Sequence, residues 1–264
     1  MVDGPIGMFD SGFGGLTVAR AVIDLLPAAD LVYFGDTARY PYGPRDLDEV
    51  RGYALQIARL LREEHGISML VVACNTAAAA ALEDLRDELD VPVIGVIEPG
   101  LKAATEVSER GRVGVIGTVG TVGSGAYQRA HAELGSSGEL VCAACPGFVE
   151  FVERGETDTD QVRVLAERLL APIVESDVDA LLLGCTHYPY LARVIGDVMG
   201  RDVVLVSSAD ETAFEIRRLM GEAGGRGDQG TARFLSSGDP LLFAQLGRRL
   251  LGPELDRVEP HAWD

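Results

Sequence analysis

The sequence predicts an α/β protein built from two related domains. Short apolar runs of strand length alternate with helix-like segments, which is the pattern of a mostly parallel sheet covered by helices. Four of these apolar runs recur in the second half in the same order, at offsets of between 107 and 111 residues. The recurring pairs contain Ile6 and Val113, Leu31 and Leu140, Cys74 and Cys185, and Val93 and Val204. A repeat of this length is too long for a solenoid and indicates a duplicated α/β domain.

A glycine-rich turn follows the first predicted strand, which covers residues 5–9, and leads into a helix predicted over residues 16–26. The turn reads Asp10-Ser-Gly-Phe-Gly-Gly15. Such glycines let backbone amides approach a ligand, and helix N-termini favour anions such as a carboxylate. The turn has neither the lysine of a phosphate loop nor the glycine spacing of a dinucleotide site. Asp10 therefore assists catalysis or binds an ammonium group, unless it only caps the helix.

The rest of the first half continues the alternation. The predicted elements are a strand over 31–34, a helix over 46–65, the strand that ends in Cys74, a helix over 77–89 and a strand over 91–97. The first of these strands leads into a turn that contains Tyr42 and Gly43. The helix over 46–65 is amphipathic, with a capping-box-like start at Asp46 and Glu49 and a stop at Gly66.

The second half repeats this order. The predicted elements are strands over 112–117 and 140–143, the strand that ends in Cys185, a strand at Val204, and helices over 158–174 and 188–199. Thr118 and Thr121 follow the first strand, where they hold a carboxylate or cap the helix that carries Tyr127.

The last part of the chain has no counterpart after the first half. It contains a predicted helix over 211–222, a strand over 232–236 and a helix over 240–251. We expect these elements to return and cover the first domain. Glu98-Pro99-Gly100 marks a crossing between the domains, so we expect residues 1–97 plus 208–264 to form the first domain and 98–207 the second.

The composition limits the possible functions. A net charge of −18 argues against a nucleic-acid-binding face, and a single lysine, Lys102, argues against lysine Schiff-base chemistry. The first six residues lack the basic and apolar regions of a signal peptide, and no apolar run approaches membrane-spanning length. We therefore expect a cytosolic protein without membrane or nucleic-acid partners, whose four cysteines stay reduced.

Two cysteines stand in matching positions at the carboxyl ends of apolar strands, where open α/β sheets bind ligands. Polar residues follow each of them: Asn75 and Thr76 after Cys74, and Thr186 and His187 after Cys185. One such cysteine would be interpreted as a buried strand residue. Two in matching contexts indicate thiols that act together.

A pair of opposed thiols can invert a carbon centre, since one thiolate removes a carbon-bound proton and the other thiol delivers one. The N-terminus of the following helix would lower the pKa of Cys74. Asp10 and His187 are the neighbours that would activate the two thiols, although His187 could instead be a hydrogen-bonded supporting residue.

The remaining cysteines, Cys142 and Cys145, have C-x-x-C spacing. A redox motif or half of a zinc site is conceivable, but neither a second C-x-x-C nor a histidine pair accompanies them. We expect both to be structural, and we expect no metal and no cofactor.

Four motifs in order make the chain similar to the glutamate racemase family, within the aspartate/glutamate racemases. They are Asp10-Ser-Gly-Phe-Gly-Gly-Leu-Thr17, Tyr33-Phe-Gly-Asp-Thr-Ala-Arg-Tyr-Pro-Tyr-Gly43, Ala73-Cys-Asn-Thr-Ala77 and Gly184-Cys-Thr-His-Tyr-Pro189. The resemblance spans essentially the whole chain. It implies two pseudo-symmetric flavodoxin-like domains, each a doubly wound and mostly parallel sheet, with the active site between them.

The resemblance also implies an activity, the cofactor-independent interconversion of L- and D-glutamate for peptidoglycan, and hence for cell-wall biogenesis and cell shape. It assigns Cys74 and Cys185 as the acid/base pair, with Cys74 acting on D-glutamate and Cys185 on L-glutamate. The implied substrate contacts are Asp10, Ser11, Tyr42, Gly43, Asn75, Thr76, Thr118, Thr121, Thr186 and His187. We expect a homodimer.

Two alternatives stay open at this point. A racemase of another amino acid, such as aspartate, would keep both cysteines and change the side-chain pocket. A mainly non-enzymatic binding protein, for example a modulator of DNA gyrase, would use the acidic surface instead.

Overall fold

Two separate parallel sheets organise the computed structural model, which describes residues 4–221, 229–255 and 257–263. The described strands are β1 (Ile6–Asp10), β2 (Leu31–Gly35), β3 (Met69–Val72), β4 (Val93–Gly95), β5 (Arg112–Gly117), β6 (Glu139–Ala144), β7 (Ala180–Gly184), β8 (Val204–Ser207), β9 (Ala232–Ser236) and β10 (Val258–Pro260). The described helices are α1 (Leu16–Leu25), α2 (Leu47–His65), α3 (Asn75–Glu88), α4 (Ile97–Val107), α5 (Val119–Gly123), α6 (Ala126–Glu133), α7 (Phe148–Glu153), α8 (Asp160–Glu175), α9 (Ala192–Met199), α10 (Ser208–Met220) and α11 (Pro240–Leu251). A 3-10 turn, Tyr188–Leu191, precedes α9.

The chain divides into two units, and each holds one sheet. Unit 1 comprises Met1–Val96 and Ala209–Asp264, and unit 2 comprises Ile97–Ser208. The strand order is β10-β9-β2-β1-β3-β4 in unit 1 and β6-β5-β7-β8 in unit 2. Every described strand pairing is parallel. The predicted α/β class, with two mostly parallel sheets, is confirmed.

The duplication seen in the sequence recurs in the strand pairing. In each sheet the first strand of the repeat lies between the second and the third, which is the order of flavodoxin-like sheets. Ile6 of β1 pairs with Met69 of β3, and Val113 of β5 pairs with Ala180 of β7. The first and third strands of each repeat therefore end side by side.

The central strands are covered on both faces. β1, β2, β3 and β7 are buried along their whole length, as expected for parallel strands with helices on either side. Each unit has its own apolar core. The large core side chains include Met8, Leu16, Tyr33 and Phe243 in unit 1, and Phe148, Leu170, Leu181 and Tyr188 in unit 2.

The last part of the chain does more than cover unit 1. β9 pairs with β2 over five residues, and β10 pairs with β9, so two further parallel strands extend the sheet. Phe234 of β9 faces the core, where its ring centroid lies 6.1 Å from that of Tyr33. β10 was not predicted, since three residues that end in Pro260 give little strand signal.

Several helices begin or end elsewhere than predicted. α2 begins at Leu47, because Asp46 is its N-cap and accepts a hydrogen bond from the Asp48 amide at 2.8 Å. The helix after Cys74 begins at Asn75, two residues early. The predicted helix over 211–222 is α10, and its last predicted residue lies outside the described residues. In the described ranges, no helix has the length and apolar character that a membrane span needs.

The segment Glu98-Pro99-Gly100, interpreted as a crossing between the domains, is helical and lies directly after the boundary between the two units. The strand predicted over 91–97 ends at Gly95, and α4 begins at Ile97, where the chain passes from unit 1 to unit 2. Proline fits here because the first helical turn needs no intrahelical N–H donors. The short helix α7 was also not predicted.

Replacing Phe234 by Ala should lower the free energy of unfolding by about 3–5 kcal/mol, because a buried ring at 2 % exposure is lost from the core around β2 and β9. Urea denaturation measures this change. Leu241→Ala is the matched control: its side chain is 80 % exposed, so the change should stay within about 0.5 kcal/mol. Similar losses for the two variants would contradict the placement of β9 in the core.

Candidate active site

In unit 1, the ends of β1 and β3 bring five of the predicted site residues together. Asp10 is the last residue of β1, Ser11 follows it, and Cys74 comes two residues after β3. Asn75 and Thr76 open α3, and all five side chains are buried. The Cys74 Sγ lies 3.8 Å from the Ser11 Oγ. Adjacent parallel strands thus place a carboxylate, a hydroxyl and a thiol in one small polar group.

Asp10 is fixed by the turn and not by the helix that follows. Its Oδ1 accepts a hydrogen bond from the Gly12 amide at 2.8 Å. The N-cap of α1 is Gly15, so the alternative that Asp10 caps this helix is wrong. A Cβ atom on Gly15 would lie 2.6 Å from the Asp10 Cβ and 2.8 Å from the Tyr33 hydroxyl. Glycine at this position lets the turn close over Asp10.

The surroundings of Cys74 disfavour its thiolate. Burial and the negative charge of Asp10 together raise the pKa of Cys74 to about 11, against hydrogen bonds from the Ala77 and Ser11 amides that lower it. Cys74 is the N-cap of α3, as the sequence indicated. The helix N-terminus does lower this pKa, but burial and Asp10 outweigh it, so the expected net activation by these neighbours is absent here.

The loop after β2 carries the predicted contacts Tyr42 and Gly43. Tyr42 is buried, and its hydroxyl donates a hydrogen bond to the Asp36 carboxylate. Burial and the Asp36 carboxylate raise the pKa of Tyr42, and a negative charge on Cys74 would add to this effect. Asp36 therefore accepts the one hydrogen bond that the Tyr42 hydroxyl can donate. Gly43 is half-buried in the turn that follows.

In unit 2, the equivalent strand end brings Cys185, Thr186 and His187 together. Cys185 directly follows β7, and His187 is the N-cap of the 3-10 turn. All three side chains are buried. The Cys185 Sγ lies 4.0 Å from the His187 Nδ1. This thiol therefore has an imidazole beside it, whereas Cys74 has a carboxylate and the first turn of a long helix.

His187 is a neutral imidazole at neutral pH. Burial lowers its pKa to about 4. Its Nε2 lies 3.9 Å from an Oε1 of Glu153, the last residue of α7. Because the His187 ring is neutral, it forms no ion pair with Glu153. Sequence reasoning missed Glu153, because α7 was not predicted and no local spacing connects it to His187.

Thr118 and Thr121 follow β5, whose last residue Gly117 pairs with Gly184 of β7. Thr118 caps α5: its Oγ1 accepts a hydrogen bond from the Thr121 amide at 3.2 Å, and the two Oγ1 atoms lie 2.9 Å apart. The helix that carries Tyr127 is the separate α6, with Gly125 as its N-cap. The capping alternative is therefore correct for Thr118 but concerns a different helix.

Cys142 lies on β6, and Cys145 directly follows that strand. Both are free thiols, and burial raises the pKa of Cys142 to about 11 and that of Cys145 to about 12. The Tyr188 hydroxyl donates to the carbonyl oxygens of Gly117 and Cys145, at 3.0 and 3.1 Å. The backbone of Cys145 thus helps to hold the segment that follows Cys185. Within the described ranges, no three His, Cys, Asp or Glu side chains cluster as metal ligands would.

Comparison with known proteins gives consistent matches over nearly the whole chain. A family model described as Asp/Glu/Hydantoin racemase matches residues 15–214. A glutamate racemase of Parafrankia sp. is 53 % identical over 262 residues, which cover 98 % of this chain and 94 % of that protein. The crystal structure of a glutamate racemase from Bacillus anthracis is 40 % identical, with a TM-score of 0.93 and coverage of 100 % and 98 %. That of a glutamate racemase from Francisella tularensis in complex with D-glutamate is 31 % identical, with a TM-score of 0.91 and coverage of 99 % and 98 %.

Alkylation of Cys74 by iodoacetamide should report a thiol that ionises near pH 11. Because only the thiolate reacts, the rate constant should rise about tenfold per pH unit between pH 7 and 9 and reach no plateau. Mass spectrometry of the peptide that contains Cys74 measures the rate. A short cysteine peptide, with its ordinary pKa, is the control and should begin to level off in this range. Levelling of Cys74 itself below pH 9 would refute the raised pKa.

Acid should destabilise the protein through His187. Between its ordinary pKa of 6.5 and its folded value of about 4, the unfolded state binds a proton that the folded state does not. The free energy of unfolding therefore decreases as the pH is lowered through this window, by up to about 3 kcal/mol from this residue. His187→Gln removes the contribution, so urea unfolding should show a smaller loss between pH 7 and 4. From pH 7 to 8 the free energies of unfolding of the wild type and of His187→Gln should change in parallel. If they also change in parallel down to pH 4, the lowered pKa of His187 is wrong.

Proposed function

The chain belongs to the Asp/Glu/hydantoin racemase family, and from this we propose that it is a glutamate racemase that interconverts L- and D-glutamate. It is an isomerase of the amino-acid racemase class. The similarity to glutamate racemases extends over nearly the full length of both chains, at identities of 53 % and 40 %. It includes a relative whose structure is a complex with D-glutamate. These matches support glutamate over aspartate as the substrate.

The observation that carries the mechanism is the matching pair of buried thiols at equivalent strand ends. In the proposed reaction, one cysteine thiolate takes the proton from the α-carbon of glutamate, and the C–H bonding electrons remain on that carbon. The thiol of the other cysteine then protonates the opposite face, and the product is the mirror image. Cys74 acts as base on D-glutamate and Cys185 on L-glutamate. No atom is gained or lost, and the two thiols exchange protonation states in each turnover.

The proposed substrate supplies the charge that Cys74 lacks. With a pKa of about 11, only about one Cys74 in ten thousand is ionised at pH 7. The α-ammonium group of a bound amino acid, placed near Asp10, offsets the carboxylate charge that raises this pKa. The thiolate is then favoured only when substrate is present. Asp10 serves in this scheme as both the ammonium ligand and the group that assists Cys74.

Cys185 depends on His187 in the same scheme. A neutral imidazole 4.0 Å from the sulfur can accept a hydrogen bond from the thiol or donate one to the thiolate, according to its tautomer. We infer that Glu153, at 3.9 Å from the other ring nitrogen, orients the ring. Such an arrangement stabilises either protonation state of the sulfur. Cys185 can then act as acid in one direction and as base in the other.

The remaining polar groups are proposed to hold the substrate. Ser11, Asn75, Thr76 and Thr186 surround the two thiols within their own units. Further contacts are proposed from Gly43, from backbone or ring atoms of Tyr42, and from Thr118 and Thr121. Helix N-termini and threonine hydroxyls are suitable donors for the two carboxylates of glutamate.

The wider role also remains a proposal. D-Glutamate formed in the cytosol would supply peptidoglycan synthesis, and with it cell-wall biogenesis and cell shape. We propose that the reaction needs no cofactor or metal, and that the protein acts as a homodimer with small-molecule partners and without nucleic acid.

Incubation with L-glutamate in deuterated water, without added cofactor, tests the proposal. The delivering thiol carries a solvent-derived proton, so deuterium should appear first at the α-carbon of the D-glutamate formed, and chiral chromatography with mass spectrometry detects it. Cys74→Ser and Cys185→Ser should each abolish racemisation, by at least about a thousandfold, because serine is a far weaker acid at neutral pH.

Cys142→Ser is the matched control and should keep turnover within a few-fold of the wild type. A racemase of aspartate would show its highest kcat/KM with aspartate instead. Racemisation that survives Cys185→Ser would exclude the two-thiol mechanism. Activity that is lost on dialysis against a chelator and regained with metal would exclude cofactor independence.

A further inference from the structure

We propose that Trp263 is a positioning residue for the loop 36–43, and through this loop for substrate binding. The inference rests on the proposed function, since this loop carries Tyr42 and Gly43. Trp263 is the single tryptophan of the chain and lies shortly after β10. No motif of the sequence drew attention to it.

The centre of the arrangement is the buried carboxylate of Asp36, at the carboxyl end of β2. Its Oδ2 accepts hydrogen bonds from the Arg39 Nε at 2.7 Å and from the Tyr42 hydroxyl. Its Oδ1 accepts from the Ser237 Oγ at 2.7 Å and from the Trp263 Nε1 at 2.9 Å. One side chain thus ties the loop to two segments that are distant in sequence. A buried carboxylate of this kind is costly unless its hydrogen bonds are satisfied, so each donor matters.

Trp263 also holds the second charged residue of the loop. The Arg39 guanidinium lies between two rings, with its Cζ 4.0 Å from the centroid of Trp263 and 4.1 Å from that of Tyr53. Its Nη1 donates to the Gln56 side chain at 2.7 Å. Stacking between two aromatic faces fixes the plane of the guanidinium and keeps its Nε directed at Asp36.

The start of the loop is hydrogen-bonded to the last residue of β9 and to the two residues that follow it. The hydroxyls of Thr37 and Ser236 lie 2.7 Å apart, the Ala38 amide donates to the Ser237 Oγ at 3.0 Å, and the Gly238 amide donates to the Thr37 Oγ1 at 3.0 Å. Residues 36–38 are therefore held by segments that belong to the last part of the chain.

The far end of the loop faces the site. The ring of Tyr40 packs against the turn after β1, where a Cβ on Gly12 would come within 2.9 Å of it. The amide of Gly12 donates a hydrogen bond to Asp10, so the loop contacts the turn that holds this site residue. Loss of Trp263 removes one donor from Asp36 and one stacking face from Arg39. The hydroxyl of Tyr42 then keeps its acceptor, but the acceptor itself is less well fixed. The loop should become more mobile and bind glutamate less tightly, while the thiols stay unchanged.

Trp263→Ala tests the proposal with two readouts. Amide hydrogen exchange should be at least about tenfold faster in residues 37–43 and unchanged in α3, which follows Cys74. The KM for both glutamate enantiomers should rise about tenfold, with kcat within about threefold of the wild type. Trp263→Phe keeps a stacking face for Arg39, so its KM should lie closer to that of the wild type than to that of Trp263→Ala. Phe214→Ala removes a different stacked ring of unit 1, 5.1 Å from the Arg217 Cζ, and should alter neither readout.

The outcomes separate the two ideas. Unchanged exchange in residues 37–43 of Trp263→Ala overturns the positioning role, whether or not the protein racemises glutamate. Faster exchange with an unchanged KM, or a lower kcat at unchanged KM, overturns the connection to substrate binding and indicates a stabilising role only. A wild-type protein that does not racemise glutamate overturns the proposed function and with it that connection, while the exchange measurement still decides the positioning role.

Discussion

Parallel pairing between the first and third strands of each repeat is the interaction on which the rest of the structure depends. β1 pairs with β3 and β5 with β7, and the helices on both faces bury these strands. Because paired parallel strands end at the same edge of the sheet, the residues that directly follow them lie next to each other. Asp10 and Cys74 meet in this way in unit 1. The same register in unit 2 places the turn that begins at Thr118 beside Cys185.

Burial sets the charge state of one titratable group at each of the two strand ends. In unit 1 it raises the pKa of Cys74, and in unit 2 it lowers that of His187, so the unliganded groups are largely uncharged. A largely protonated Cys74 is protected from side reactions of a thiolate, such as alkylation or oxidation. The burial of Cys74 in the fold thus determines how reactive its thiol is.

The sequence predicted the parts of the molecule that depend on local pattern. Buried strands read as apolar runs, and the cysteines at their ends were found because the same context occurs twice. The contacts of Asp36 could not be predicted, since Ser237 and Trp263 lie 201 and 227 residues further along the chain. The raised pKa of Cys74 was missed for a related reason. The sequence shows that Cys74 precedes a helix, which lowers its pKa, but it does not show that burial and the charge of Asp10 raise this pKa by more.

In the proposed two-thiol reaction, the unequal surroundings of the two cysteines have a kinetic consequence. Cys74 caps the long helix α3, whereas a 3-10 turn and a neutral imidazole follow Cys185. Enantiomers have equal free energies in solution, so kcat/KM for an interconversion between them must be the same in both directions. Differences between the thiols can therefore change kcat and KM for the two enantiomers only by the same factor. The enantiomer that is turned over faster must also be the one that is bound with the higher KM.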